Sequence, residues 1–204
     1  LDKGKPYYCG VYPSMALSRS GGIAISYHYD AAGDYDLSKE IIKLGVWDGT
    51  EWHIKPLEKS APGGYGSSVA FDSSGKIHLA FNRRTSTGAV DTGPSYYASE
   101  TDGEFLVEQI DPHATRRPSL TIDDNDRPHI SYVFETDNRE ERLAYATHVN
   151  GEWKITELGP ADSYNFGGTT SIALNRQGNP LIAFNDRHLL KLATFSDNSW
   201  RTET

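Results

Sequence analysis

The 204-residue sequence predicts an all-β fold, a β-propeller of four four-stranded antiparallel blades, and three observations carry that prediction. One strand-turn-strand phrase occurs four times, from Ser14 to Tyr27, Ser68 to Phe81, Ser119 to Tyr132 and Ser171 to Phe184. The leading serines stand 54, 51 and 52 residues apart, the regularity of stacked supersecondary units. Within the phrase, apolar and polar residues alternate with period two, as at Leu120-Thr-Ile122 and Ile130-Ser-Tyr132, which is the signature of half-buried strands. Between such runs stand Asn-Gly and Asp-Gly pairs, the strongest short-range hairpin signal. Repeating a four-stranded sheet around an axis is one of the few ways such sheets protect their edges.

The third repeat shows each element most plainly. Pro118 to Ile122 reads as the inner strand, Asp123 to Arg127 as a polar turn and Pro128 to Phe134 as the second strand. After a charged loop come a third strand, Arg142 to His148, a turn at Val149-Asn-Gly151 and an outer strand, Glu152 to Leu158. Equivalent turns recur at Ser73 to Gly75, Gln177 to Asn179, Asp48-Gly49, Asp102-Gly103 and Asp197-Asn198. No helical pattern interrupts them. The chain is read as a single domain, 1–204, with blades at roughly 13–59, 67–111, 118–159 and 170–204. Three arrangements fit four such blades: a closed ring, part of a bigger ring, or half-rings that pair. The closed ring is the expectation, because every repeat carries all four strands. A β-solenoid needs far shorter repeats, and a sandwich does not explain the period.

Composition narrows the partners. A formal charge of -8 and a pI near 5.3 repel a phosphate backbone or an anionic membrane surface, so no nucleic-acid partner is expected. No apolar run approaches the roughly 20 residues that span a bilayer, so no membrane insertion is expected either. Cys9, the one cysteine, excludes an intrachain disulfide and any Cys-based zinc or iron–sulfur site within a monomer. The acidic run Asp123-Asp-Asn-Asp126 lacks the glycine and distal glutamate of an EF-hand loop and reads as a hairpin turn. Phosphate-binding glycine loops, His-x-x-x-His pairs and Gly-x-Ser-x-Gly elbows are missing, and neither metal nor cofactor is expected. The start at Leu1 suggests that a preceding segment has been removed.

The phrase Pro118-Ser-Leu-Thr-Ile-Asp, continued by Pro128-His-Ile-Ser-Tyr, Leu143-Ala-Tyr-Ala-Thr and Asn150-Gly-Glu-Trp, resembles the blades of sialidase-like propellers of the BNR or Asp-box type from secreted bacterial proteins. Ser99 to Phe105 and Ser196 to Trp200 approximate the Ser-x-Asp-x-Gly-x-x-Trp box of that family. The resemblance spans almost the whole chain. It implies the propeller fold, a carbohydrate-related role and an extracellular or cell-surface location, although such propellers more often have six or seven blades.

In a propeller, the loops leading into the inner strands and the loops between second and third strands share one face. These segments differ between repeats while the strands do not, so function is expected there. Tyr12, Tyr65, Tyr164 and Phe166 offer flat surfaces for sugar rings, and Asp30, Arg83, Arg116, Asp186 and His188 offer hydrogen bonds and charge. The first reading is a noncatalytic module that binds a glycan or polysaccharide, a protein partner being the other candidate. The second is a carbohydrate-active enzyme, a polysaccharide lyase or sialidase-like hydrolase. For a lyase, His28 with Tyr27 or Tyr29 would supply the base, and Arg83 or Arg116 would neutralise a uronate carboxylate. The third is a structural blade set within a longer surface protein. His78 and His129 occupy one repeat position and read as packing, as do Trp52, Trp153, Trp200 and Phe105 at the start of each outer strand.

Overall fold

The computed structural model describes residues 8–30, 40–57, 64–85, 92–162 and 170–204, which form strands and turns and, among the described residues, no helix. The first meander comprises β1 (Tyr8–Leu17), β2 (Ile23–Asp30), β3 (Glu40–Trp47) and β4 (Trp52–Pro56), hydrogen-bonded in that order. A seven-stranded sheet follows: β5 (Gly64–Phe71), β6 (Ile77–Arg83), β7 (Gly93–Thr101), β8 (Glu104–Ile122), β9 (Pro128–Glu135), β10 (Glu141–Val149) and β11 (Glu152–Pro160). A last sheet comprises β12 (Ser171–Leu174), β13 (Pro180–Asp186), β14 (Leu189–Ser196) and β15 (Ser199–Glu203).

The middle sheet is two meanders fused through β8. This strand pairs with β7 from Glu104 to Thr115, with register shifts at Gly93 and Ser95 of β7, and with β9 from Ala114 to Ile122, with a register shift between Arg116 and Ser119. The outer strand of the second repeat and the inner strand of the third, expected as separate elements, are therefore one 19-residue strand.

The turns explain the repeat's polar positions. Ser18, Asp72, Asp123 and Asn175 stand at one repeat position, at the end of each inner strand. Asp72 Oδ1 accepts the N–H groups of Ser74 and Lys76, Asp123 Oδ1 those of Asn125 and Arg127, and Asn175 Oδ1 those of Gln177 and Asn179, all at 2.8–2.9 Å. Ser18 Oγ does the same for Gly22. Three residues on, the backbone turns left-handed at Gly21, Gly75, Asp126 and Gly178. The acidic run at 123–126 is thus a capped turn. Between third and fourth strands, Asp102-Gly103, Asn150-Gly151 and Asp197-Asn198 take positive φ at both central residues, the geometry that suits a two-residue hairpin.

Adjacent meanders bury apolar side chains against each other along three seams. Ile42 and Leu44 of the first meander meet Val69 and Leu79 of the second. Tyr97 and Ile110 of the second meet Leu120 and Ile130 of the third, and Leu143 and Tyr145 of the third meet Ile172 and Ile182 of the fourth. Each buried Leu or Ile contributes about 1.5–3 kcal/mol. The aromatic that opens an outer strand reaches back across the seam: Trp153 packs on Tyr97 and Trp200 on Tyr145, both at 5.1 Å. The leading serines of the first three repeats also cross the seams. Ser14 Oγ accepts the Val69 N–H at 3.1 Å, Ser68 Oγ that of Leu120 at 3.1 Å and Ser119 Oγ that of Ile172 at 3.2 Å. These bonds give the serine a structural reason to recur.

His78 and His129 complete the seams, as expected of residues that follow the repeat. The Tyr97 and Tyr145 hydroxyls hydrogen-bond to their Nδ1 atoms, while Nε2 faces Asp72 at 3.3 Å and Asp123 at 3.4 Å. The row of meanders is curved, since Arg19 of the first reaches Asp124 of the third at 3.3 Å. It does not close. Among the described residues no seam of this kind joins the fourth meander to the first, which corrects the expected four-bladed ring.

Candidate functional site

A recess of about 270 Å³ opens where the first and second meanders meet, on the face predicted to carry function. β1 supplies Val11 and Tyr12, β2 supplies His28 and Asp30, β3 supplies Glu40, β5 supplies Tyr65, and Arg84 follows β6. Strand alternation selects this set. His28 and Asp30 share one side of β2, and Asn82 of β6 and Arg84 just after it share the corresponding side.

Tyr12 is held in an unusual conformation, with φ at 52°, inside the irregular register between Val11 and Ser14. A bulky residue in the left-handed region is costly, and such outliers gather at binding and catalytic sites. The conformation sets the Tyr12 ring 4.9 Å from that of Tyr65, whose hydroxyl donates to the Tyr12 hydroxyl at 3.1 Å. The His28 ring lies 4.7 Å from that of Tyr65, and its Nδ1 donates to the Gly64 carbonyl at 3.0 Å. That bond fixes the tautomer of a neutral His28, making Nε2 the basic nitrogen.

Two guanidinium groups cover the aromatic pair. The Arg117 group sits 3.7 Å over the Tyr12 ring and the Arg84 group 5.1 Å from the Tyr65 ring. Gly66 makes room for the first, because a Cβ there would stand 2.5 Å from the Arg117 Cγ. Arg84 is buried and donates to Glu40 Oε1 at 2.8 Å, with Asp30 opposite Glu40 in the sheet register. The recess thus combines hydroxyl-bearing rings, an imidazole, two buried carboxylates and the Arg84 cation, with Arg117 stacked on the Tyr12 ring.

Of the residues singled out in the sequence, Tyr12, His28, Asp30 and Tyr65 come together here. Arg83 does not: it faces the other side of its strand, 4.2 Å over Tyr96 and 5.6 Å from Phe81. Tyr29 likewise points away from His28 and lies under the Lys43 ammonium at 3.5 Å, so it cannot share a proton with that imidazole. Arg116 pairs with Glu141 at 3.0 Å. Asp186 is bound by Lys191 at 2.6 Å and lines a more open recess of about 380 Å³ with Glu141, Asp162 and Arg187 at the third seam. His188 is exposed on the β13–β14 hairpin at φ 69°. Tyr164 and Phe166 lie outside the described residues. Sequence reasoning passed over Glu40, Arg84 and Arg117. Parity with His28 along the repeat would have preferred Arg84 to Arg83.

On the opposite face, Asp48, Glu51 and His53 bring one ligand atom each within 4.8 Å of one another, all exposed. Asp48 Oδ1 is already occupied by the Thr50 N–H and hydroxyl and the Glu51 N–H, while Oδ2 meets His53 Nε2 at 2.7 Å. The group is a capped turn.

No protein-family model and no curated protein matches the sequence. Solved structures do. A Hadza microbial sialidase is similar at a TM-score of 0.67 and 14% identity, over 95% of this chain and 46% of that one. A Dyadobacter fermentans protein of unknown function is similar at 0.67 and 12%, over 97% and 70%. An ulvan lyase solved with a GlcA(1-4)Rha3S glycan is similar at 0.59 and 17%, over 99% and 59%. This chain therefore spans less than two thirds of the sialidase and the lyase. At these identities the likeness shows the fold, repeated antiparallel sheets of the β-propeller type.

Proposed function

We propose that the chain binds a glycan in the recess between its first and second meanders. The observation that carries this reading is the Tyr12–Tyr65 pair, held by a left-handed backbone and flanked by Arg84, Arg117 and His28. Tyrosine rings present apolar faces to the C–H side of a sugar while their hydroxyls meet its oxygens, and guanidinium groups bind carboxylates or sulfates in plane. Support also comes from the architecture, which this chain shares with a sialidase and an ulvan lyase. An extracellular or cell-surface location and a single domain over 1–204 go with this reading. Its test is a panel of immobilised polysaccharides, including uronate-containing and sialylated ones. Weak retention of at least one by the wild type, lost in Tyr65→Ala with the fold unchanged, is the expected result. Equal retention by the variant refutes the site.

A second reading is favoured by one observation, the His28 imidazole held through Nδ1 by the Gly64 carbonyl and lying 4.7 Å from the Tyr65 ring. In a lyase reaction on a uronate polymer, a base takes the proton next to the carboxylate. The C–H electron pair becomes the new C=C bond, the C–O bond to the leaving sugar breaks, and a proton passes to the departing oxygen. In this reading His28 Nε2 would act as the base, a tyrosine hydroxyl as the acid, and Arg84 or Arg117 would offset the charge on the carboxylate. Ultraviolet-absorbing unsaturated products, formed by the wild type and lost in His28→Ala, would establish this reaction; binding without products leaves the first reading alone.

A further inference from the structure

Both ends of the row expose the halves of a seam that the interior forms three times. At the first end, Met15 is 64% exposed, whereas its repeat equivalents Val69, Leu120 and Ile172 are 5, 7 and 7% exposed against the preceding meander. Leu17 beside it is 67% exposed. At the other end, Leu190 is 74% exposed, whereas the equivalent Ile42, Ser95 and Leu143 are 3, 0 and 0% exposed, two of the three being apolar. The register makes these positions equivalent, because Ile25, Leu79, Ile130 and Ile182 pair with Gly45, Ala98, Ala146 and Ala193.

We propose that the two ends bind a second copy of this chain head to tail, the first meander of each copy seated on the fourth of the other. The interior seams supply the geometry. The Met15 N–H would be accepted by Ser171 Oγ of the second copy, as Ser14, Ser68 and Ser119 accept the N–H groups of Val69, Leu120 and Ile172. Ser171 is exposed, while those three serines are partly buried. Trp52 would pack on Leu192 of the second copy, in the place where Trp153 packs on Tyr97 and Trp200 on Tyr145. A head-to-tail contact made twice closes a two-fold pair, and eight meanders lie within the range of closed β-propellers. The proposal stands on the repeat comparison and is independent of the glycan site.

Sedimentation equilibrium of the purified chain over a range of concentrations tests it, together with Met15→Asp and Leu190→Asp. Both side chains are exposed, so each variant keeps the monomer's circular dichroism and melting profile. The wild type is expected to be dimeric. Each variant alone should weaken association at least about tenfold, since a carboxylate is placed in an apolar seam. Mixing the two should restore a heterodimer through the one junction that carries neither substitution. A wild type that stays monomeric overturns the proposal, as do polymers that grow with concentration. A dimer sensitive to Met15→Asp and indifferent to Leu190→Asp overturns the head-to-tail arrangement.

Discussion

Replacing the seam serines one at a time separates the roles of four residues that look identical in sequence. In Ser68→Ala the Leu120 N–H, now 3.1 Å from the hydroxyl that accepts it, loses that acceptor at a partly buried seam. An unsatisfied donor costs about 1–3 kcal/mol when buried, and partial access to water places this one in the lower half, about 1–2 kcal/mol. For a domain of this size each kcal/mol lowers the melting temperature by about 2–4 °C, so a fall of roughly 2–8 °C is expected. Ser14→Ala and Ser119→Ala should behave alike, because their bonds to Val69 and Ile172, at 3.1 and 3.2 Å, are likewise partly buried. Ser171→Ala should fall within about 0.5 kcal/mol of the wild type in protein dilute enough to be monomeric, since Ser171 is exposed and, among the described residues, meets no further meander. Scanning calorimetry at low concentration reads all four. Equal destabilisation by all four variants, or none by the first three, would refute the seam account.

Breaking the buried Arg84–Glu40 pair by Arg84→Met should cost about 3–5 kcal/mol in urea unfolding, because Glu40 loses its cation in a buried setting; adding Glu40→Gln should recover part of the loss. Stability should fall in two stages with acid. Burial lowers the His129 pKa below its ordinary 6.5 despite the opposing pull of Asp123, so the folded state binds fewer protons than the unfolded one. That contribution is full above pH 6.5 and is lost as the pH falls below it. Burial alone would raise the Asp123 carboxyl from 3.8, but hydrogen bonds from the Arg127 backbone and side chain, then from Asn125 and His129, hold it at about 2. Its contribution is present above about pH 4 and is lost between about pH 4 and 2. Denaturant titrations across that range should show both stages, and His129→Gln should remove the upper one.

Period and alternation made the strands legible because each meander solves one local problem, and the turn residues Asp126, Asn150 and Gly178 mark where the backbone must go left-handed. The histidines at 78 and 129 were legible for the same reason: a side chain that follows the repeat serves the repeat. Ring closure was not, because it depends on the angle between sheets, which side-chain volumes at three seams set jointly. The fusion of two strands into β8 was hidden too, since the residues between Asp111 and Pro118 look like a loop in composition. At the recess, sequence found the rings that vary between repeats, Tyr12 and Tyr65, and missed which arginine of each Arg-Arg pair faces them. Arg83 and Arg84 are chemically identical, and only the parity of the strand sends one onto Tyr96 and the other to Glu40. Arg116 and Arg117 part in the same way, toward Glu141 and toward Tyr12.

The location of the ligand is the central claim, and nuclear magnetic resonance of the protein with labelled tyrosine and histidine rings reads it directly. Uronate oligosaccharides and sialylated oligosaccharides would be titrated in turn. The recess account predicts that at least one series shifts the Tyr12, Tyr65 and His28 ring signals together and saturably, and that Tyr65→Ala abolishes the response at Tyr12 and His28. Shifts confined to His188 and other rings remote from the first seam, or no shift with any glycan on folded protein, would contradict it.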